Sequence, residues 1–391
     1  MSTRRFFRWT TRPTKQGMVF LFILACVFGA SFIQRVNLLV LIFSLSSALL
    51  GVGLWVQDRM LRGVKLRRTA PRQVEAGDGF NVTLEASKEF GPAIWATCVV
   101  ESLEPRVPTF APEAPLPVVR EGDSGKGNYR ARLPKRGRYR FASPWLVTQF
   151  PFGFFERRRA PVAVEGDLEI TVTPRMGTIL RPFWPMATSG AESPRLSAAV
   201  QSRQFEELAG LRPYRTGDNP RHIHWRTTAR RGETIIKEFH RAGGVEGLLV
   251  VEAWRPARTR DVADQTVERL LSFAATFLRD RCRQTSAQMT VLLVGETTRL
   301  HTGIASQGLL AVCLEDLAVM QASPDADWSR SARETLGQAM FQGGTLLAST
   351  RPQPEATAAL SAYVTRGMAG SPLVVDVSEE SFGETFTMEA P

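Results

Sequence analysis

Two uncharged apolar runs near the start of the chain limit what it can fold into. Residues 17–33 form a run of 17 and residues 36–56 a run of 21, with only Gln34 and Arg35 between them. At about 1.5 Å per helical residue they reach roughly 25 and 31 Å, against a hydrocarbon core of about 30 Å. The pair reads as a tight helical hairpin through a membrane. Arg4, Arg5, Arg8, Arg12 and Lys15 precede it, and Arg59, Arg62, Lys65, Arg67, Arg68 and Arg72 follow it. Positive charge stays on the cytoplasmic side, so both flanks and everything after residue 57 are expected there. A cleaved signal peptide is one alternative, since Ile23-Leu24-Ala25-Cys26 has the look of a loose lipoprotein box. Against it, the second run begins ten residues after Cys26 and ends in dense positive charge that resists translocation. A buried hairpin in a soluble protein is a poorer fit to two uncharged runs of this length.

The charge balance supports the same division. Of the net +11, residues 1–72 supply all, with twelve Lys/Arg and one acid, Asp58; the other 319 residues carry 37 basic and 37 acidic side chains. A neutral soluble part argues against nucleic acid as a partner, while basic flanks suit a lipid bilayer. The four cysteines, Cys26, Cys98, Cys282 and Cys313, have no paired spacing, which excludes a disulfide framework and a CxxC metal or redox motif. At 391 residues and 43% hydrophobic composition the chain can build two or three packed domains.

Residues 62–175 have a β pattern. Residues 80–86 alternate apolar and polar positions, 94–103 form another strand candidate, and turn residues at 76–79 and 122–125 punctuate them. A small antiparallel β-sandwich is predicted. Residues 130–159 hold nine Lys/Arg against Glu156 alone, either as a solvated strand face or against anionic headgroups. Residues 176–242 form a connector, rich in Pro, Ser and Ala up to residue 204. From 243 to 391 strands and helices alternate: strands at 247–253, 289–294, 344–348 and 372–377, and helices at 261–283, 308–320 and 329–340. The helix at 261–283 keeps Val267, Leu270, Leu271, Ala274, Phe277 and Leu278 on one face. The alternation predicts a doubly wound α/β domain. The last twenty residues are acidic and expected to fray.

The most distinctive stretch is 205–241. Thr216-Gly217-Asp218-Asn219-Pro220 has turn chemistry, and Arg212, Arg215, Arg221, Arg226, Arg230 and Arg231 surround it. Such a cluster beside an acid is either a set of ion pairs or a site for a phosphate or acidic partner. His222 and His224 would share a face on a strand, with His240 downstream, but no carboxylate stands at a metal-ligand spacing. Asp218 with His222 or His224 could serve acid/base chemistry in a hydrolase or phosphate-handling enzyme, yet no GxSxG or GxxxxGK[ST] accompanies them. Trp225 between arginines could stack a base. Two further readings remain open: the motif pins the connector between two domains, or it is a protein-docking surface.

The pattern Arg212-x-Tyr214-x-x-Gly217-Asp218-x-x-Arg221-x-Ile223-His224-Trp225-x-x-x-Ala229-Arg230 closely resembles the signature of the domain of unknown function 58 family. Asn37-Leu38-Leu39 resembles that family's membrane hairpin. Lys135-Arg136-Gly137-Arg138-Tyr139, followed by Phe150-Pro151-Phe152-Gly153, is similar to its "RRGxY … DPFG" stretch, with Phe150 in place of the acid. The resemblance implies a bacterial inner-membrane protein, multi-pass, with a β domain and a von Willebrand factor A-like α/β domain. It also implies work beside a MoxR-type AAA+ ATPase and a transglutaminase-like membrane protein. The expected function is thus an adaptor or scaffold, with no catalytic residues and no cofactor. A metal-binding von Willebrand A domain carries Asp-x-Ser-x-Ser after its first strand. Here Val251-Glu252-Ala253-Trp254-Arg255 stands at that place, and Asp376-Val377-Ser378 closes the last strand with the wrong spacing for a second copy. No metal-dependent adhesion site is therefore expected.

Overall fold

The computed structural model describes residues 9–34, 37–108, 110–180, 207–214, 223–240, 247–255, 261–284, 287–336, 345–352, 355, 356, 358 and 373–388. The chain divides into two compact units, parting between Arg175 and Met176.

The first unit opens with helices α1 (Lys15–Gln34) and α2 (Asn37–Met60). Phe28 of α1 and Phe43 of α2 meet with ring centroids 4.9 Å apart. α2 is long and apolar enough to cross a membrane by length and composition, and the apolar part of α1 is shorter. Phe22, Leu41 and Leu45 are exposed, where a water-soluble core would have covered them. α2 also runs past the apolar stretch to include Gln57, Asp58 and Arg59.

Three sheets make up the rest of the unit. One takes the strands Trp9–Pro13, Phe155–Arg159, Trp145–Thr148, Thr97–Val100 and Glu113–Leu116, in that order. The second runs Ala163–Gly166, Val64–Thr69, Gly79–Lys88, Ser124–Arg132, and the third Gln73–Glu75, Glu169–Thr173, Gly137–Phe141, Leu103–Glu104. Alternation in Gly79–Lys88 buries Phe80, Val82, Leu84 and Ala86, as a half-buried strand requires. The expected all-antiparallel arrangement is corrected at two edges: Ala163–Gly166 pairs in parallel with Val64–Thr69, and Gln73–Glu75 with Glu169–Thr173. Within the core, buried Arg68 donates from Nε to Glu101 Oε1 at 2.8 Å, and Tyr129 donates its hydroxyl to the other carboxylate oxygen. The Arg68 guanidinium lies 4.4 Å over the Phe141 ring. Burial, with the Glu101 charge beside it, pushes the Tyr129 phenol well up, so it stays a donor.

The second unit holds α3 (Trp225–Arg231), α4 (Asp261–Gln284), α5 (Gln307–Val319) and α6 (Trp328–Leu336). Its main sheet has the order Thr298–Ile304, Gln288–Val294, Gly247–Glu252, Thr345–Ser349, Leu373–Asp376. The last four are parallel and the first is antiparallel. Leu249, Val251, Val291 and Leu346 pack on one side with α4 and α5; Leu248, Val250, Leu292 and Leu347 pack on the other with Trp328 and Ala332 of α6. Successive residues thus face opposite layers, which is why the strands are apolar throughout. Asp327 caps α6, accepting from the Ser329 and Arg330 amides at 3.0 and 3.2 Å.

Two expectations are corrected here. The C-terminal stretch does not fray through residue 388. Phe386–Thr387 pairs antiparallel with Thr178–Ile179, and Phe382 and Phe386 meet Phe273 edge-on with centroids 5.5 and 5.7 Å away. The start of the connector is also built in: the Gly177 amide donates to Thr276 Oγ1 at 2.8 Å, and Arg279 donates to the Gly177 carbonyl at 3.0 Å.

Candidate functional site

The described part of the distinctive stretch is a β-hairpin carrying a short helix. Glu207–Pro213 pairs antiparallel with Ile235–His240, placing Arg212 opposite Ile236, with a bulge between Leu208 and Gly210. The Tyr214 amide extends the ladder to the Thr234 carbonyl at 2.8 Å. α3 follows, and its start is set by His224, whose Nδ1 accepts from the Thr227 amide at 3.2 Å. An accepting Nδ1 puts the neutral ring's proton on Nε2. Gly232, at φ 69°, closes the helix by donating to the Thr228 carbonyl at 2.9 Å. Among the described residues α3 is held to the hairpin by the His224 amide to the Ile235 carbonyl at 2.8 Å, the Ile235 amide to Thr228 Oγ1 at 3.0 Å and the Thr228 hydroxyl to the Ile235 carbonyl at 3.5 Å.

His224, which on a strand would share a face with His222, instead caps a helix. Gly217, Asp218, Arg221 and His222 lie outside the described residues. Of the remaining signature residues, Trp225 is 69% exposed, Tyr214 is 38% exposed, and Ala229 and Arg230 are exposed too. Trp225 and Ala229 stand one turn apart, as do Arg226 and Arg230, so these four form one exposed aromatic and basic face of α3. A large indole serving only to pack the fold would be covered.

A second cluster, missed by the sequence reading, sits at the carboxyl ends of the adjacent parallel strands Gly247–Glu252 and Thr345–Ser349. Such ends are where open α/β sheets place their ligands. Glu252 is fully buried; it accepts from Ser349 Oγ at 2.6 Å on one oxygen and from Arg351 Nε at 2.8 Å on the other. The Arg351 guanidinium lies 5.2 Å over the Trp254 ring. Burial pushes the Glu252 carboxyl up, against the lowering pull of Ser349 and Arg351. A lone acid ending an otherwise apolar strand was the available signal.

This cluster also tests a divalent metal at the strand ends, and the residues do not fit one. Both Glu252 oxygens are engaged by protein donors, the Trp254 side chain two residues on has no oxygen to offer a metal, and Arg351 already supplies a cation. Asp376 is likewise occupied: its Oδ1 accepts from the Ser378 amide at 2.8 Å, closing a turn. Among the described residues no group of three His, Cys, Asp or Glu is placed to hold a metal ion.

In the first unit, residues 150–155 lie against both helices. The Phe154 carbonyl accepts from the Thr14 amide at 2.9 Å, and the Phe154 ring stacks on Phe20 at 4.3 Å. Gln57 donates from Nε2 to the Phe155 carbonyl at 2.9 Å. Asp58 pairs with Arg159 at 3.1 Å and with Arg157 and Arg62. The aromatic stretch is thus the joint between α1, α2 and the sheet that contains Phe155–Arg159.

Residues 210–347 match the family model described as Protein of unknown function DUF58. The match begins within the Glu207–Pro213 strand and ends within Thr345–Ser349, so it takes in α3 and most of the α/β sheet. No curated protein matches the chain. Among solved structures, the CARDB domain of a Pyrococcus furiosus protein is similar over 28% of this chain and 94% of that one, at 10% identity and a TM-score of 0.20. The C-terminal domain of wzt is similar over 34% of this chain and 84% of that one, at 11% identity and a TM-score of 0.21. Likenesses at these scores carry no argument about fold or function.

Proposed function

We propose that this protein is a membrane-anchored adaptor or scaffold facing the cytoplasm, which holds a partner complex through the exposed face of α3. In this reading α1 and α2 are the transmembrane hairpin, and the basic residues Arg12 and Lys15 before it and Arg59 and Arg62 after it keep both flanks cytoplasmic. The second unit is read as von Willebrand A-like, supported by one antiparallel strand at the edge of an otherwise parallel sheet. It would act without a metal-dependent adhesion site, since Glu252 is already paired with Arg351.

The observation that carries the reading is the exposure of Trp225 beside Arg226, Ala229 and Arg230, inside the segment that matches the family model. Tryptophan and arginine are the residues most enriched where protein partners bind tightly. A hydrolase centred on Asp218 and His222 or His224 draws no such support, because His224 Nδ1 is engaged in capping α3. The partner class we favour is a MoxR-type AAA+ ATPase, with a transglutaminase-like membrane protein as a second member of the assembly.

The test is affinity purification of the tagged full-length protein from its own membrane in mild detergent. An AAA+ ATPase should accompany the wild type and be lost from the double variant Arg226→Glu/Arg230→Glu, which should keep its thermal midpoint. Equal recovery from both proteins, or no ATPase with ATP and a crosslinker present, would overturn the proposal.

A further inference from the structure

Residues 150–154 read Phe-Pro-Phe-Gly-Phe, a turn with no polar or charged side chain. The turn lies beside both apolar helices where each changes character. Its Phe152 ring packs on α2 at Gly53, where an added Cβ would stand 3.2 Å from it, and Gly53 lies inside the uncharged run 36–56. Phe154 stacks on Phe20, inside the run 17–33. The change to charge coincides as well. Past its apolar run α2 continues with Gln57, Asp58 and Arg59, and past the turn the chain continues with Glu156, Arg157, Arg158 and Arg159. Asp58 joins the two by its pairs with Arg157 and Arg159. Just before α1, Arg12 stands opposite Glu156. Three segments thus pass from apolar to charged at one common level, and Gly53 stands about 6 Å to the apolar side of Gln57.

Two properties fit the turn to the apolar side of that level. Its backbone is tied within the protein: the Phe150 amide donates to Thr148 Oγ1 at 3.2 Å, the Gly153 amide to the Gln149 carbonyl at 2.8 Å, and Thr14 Oγ1 to the Gly153 carbonyl at 2.6 Å. Pro151 has no amide to satisfy, and the Phe154 and Phe155 carbonyls are taken by Thr14 and Gln57. Chain that approaches lipid must meet its polar groups in this way. Its side chains, by contrast, are left uncovered. Phe152 is 40% exposed despite its contact with Gly53, and Trp95, which stacks on Phe150 with centroids 6.3 Å apart, is 45% exposed. Clustered exposed aromatics mark an interaction surface, and at a change from apolar to charged they mark the edge of a bilayer. The exposed cations Arg12, Lys15, Arg59 and Arg62 at the same ends of the helices complement anionic headgroups.

We infer that the turn at 150–154 is a third membrane contact of this chain, a wedge whose Phe152 and Trp95 side chains enter the interfacial layer of the bilayer beside α1 and α2. The partner is the lipid surface itself. The inference rests on the membrane-anchored reading above and goes beyond it: the β-rich part of the first unit is seated on the bilayer, not hung below it by the helices alone.

The experiment uses the full-length protein in nanodiscs of phosphatidylethanolamine and phosphatidylglycerol, with p-benzoylphenylalanine replacing Phe152, Trp95, Leu45 or Leu168, one position at a time. Irradiation and mass spectrometry then count lipid adducts. Leu45 is exposed midway along the apolar run of α2 and reports anchoring. Leu168 is the aqueous reference: it is exposed and apolar in the same unit, and follows Asp167, whose amide donates to Arg68 toward the end of Val64–Thr69 away from α2. Lipid at 152, or at 95 should the larger ring disturb the packing of 152 on Gly53, should exceed that at 168 severalfold. Adducts at 45, with 95 and 152 no richer in lipid than 168, overturn the wedge alone. No adduct at 45 overturns anchoring and wedge together.

Discussion

The backbone of Gly17 approaches the Phe154 carbonyl so closely that a Cβ on Gly17 would lie 1.8 Å from its oxygen. The helix starting at Lys15 and the aromatic stretch therefore meet backbone to backbone, and no side chain fits between them. Gly17→Ala should force α1 and residues 150–155 apart and cost about 1–3 kcal/mol, read as a lower thermal midpoint in detergent. Gly29→Ala is the control, since nothing lies within 4 Å of a Cβ there; alanine suits a helix better and should leave stability level or raised.

Arg68, Glu101 and Tyr129 form a closed set in the β core, with both ionic side chains fully buried. Glu101→Leu would leave the Arg68 charge without its partner and should destabilise the unit by about 3–5 kcal/mol. The double variant Arg68→Met/Glu101→Leu removes the orphaned charge and should recover most of that loss. Denaturant titration of both variants gives the comparison directly.

Lys88 reaches from its strand to the end of α2, donating from Nζ to the Met60 carbonyl at 2.6 Å and also to that of Arg62. Burial brings its pKa down from 10.5 to about 8. A depressed value means the folded chain sheds this proton sooner than the unfolded one. Its contribution to stability is therefore complete only above about pH 10.5 and is lost as pH falls through about 8. Thermal midpoints measured across that window should rise with pH for the wild type, beyond whatever slope Lys88→Met retains.

Glu252 shifts the other way. Its carboxyl is raised by burial, so the folded state holds the proton to higher pH than the unfolded chain does. Stability from this group is greatest at low pH and falls as pH rises from the ordinary value of 4.5 through the raised one. Glu252→Gln keeps an acceptor for Arg351 and should flatten that part of the pH–stability curve. An unchanged curve would mean that the carboxylate does not titrate there.

Elements held by local pattern were readable in advance, and those held by distant contacts were not. The apolar length of α2 and the one-faced periodicity of α4 are properties of neighbouring residues, and both helices stand within a few residues of where the pattern puts them. Trp9–Pro13 has no pattern of its own; it is a strand because Phe155–Arg159 offers it an edge. Thr298–Ile304 is mostly polar and exposed, and it too exists through its neighbour. α3 carries Thr227 and Thr228 and begins on a histidine, a cap outside the usual set of Ser, Thr, Asp and Asn, so nothing in its composition marks a helix start. At the C-terminus, acidity masked Phe382 and Phe386, two side chains that outweigh several surface charges. In the candidate site, the family motif pointed to α3, while Glu252 and Arg351, 99 positions apart, come together only when the sheet forms.

The pairing of Trp9–Pro13 with Phe155–Arg159 has a consequence for the order in which the molecule is made. The first strand leaves the ribosome before either helix, and its partner follows about 140 residues later, a wait of roughly 7–30 s at ordinary rates of synthesis. Through that interval α1 and α2 are already made, and the edge of the first strand stays open. The sheet is thus completed only after both helices have been made.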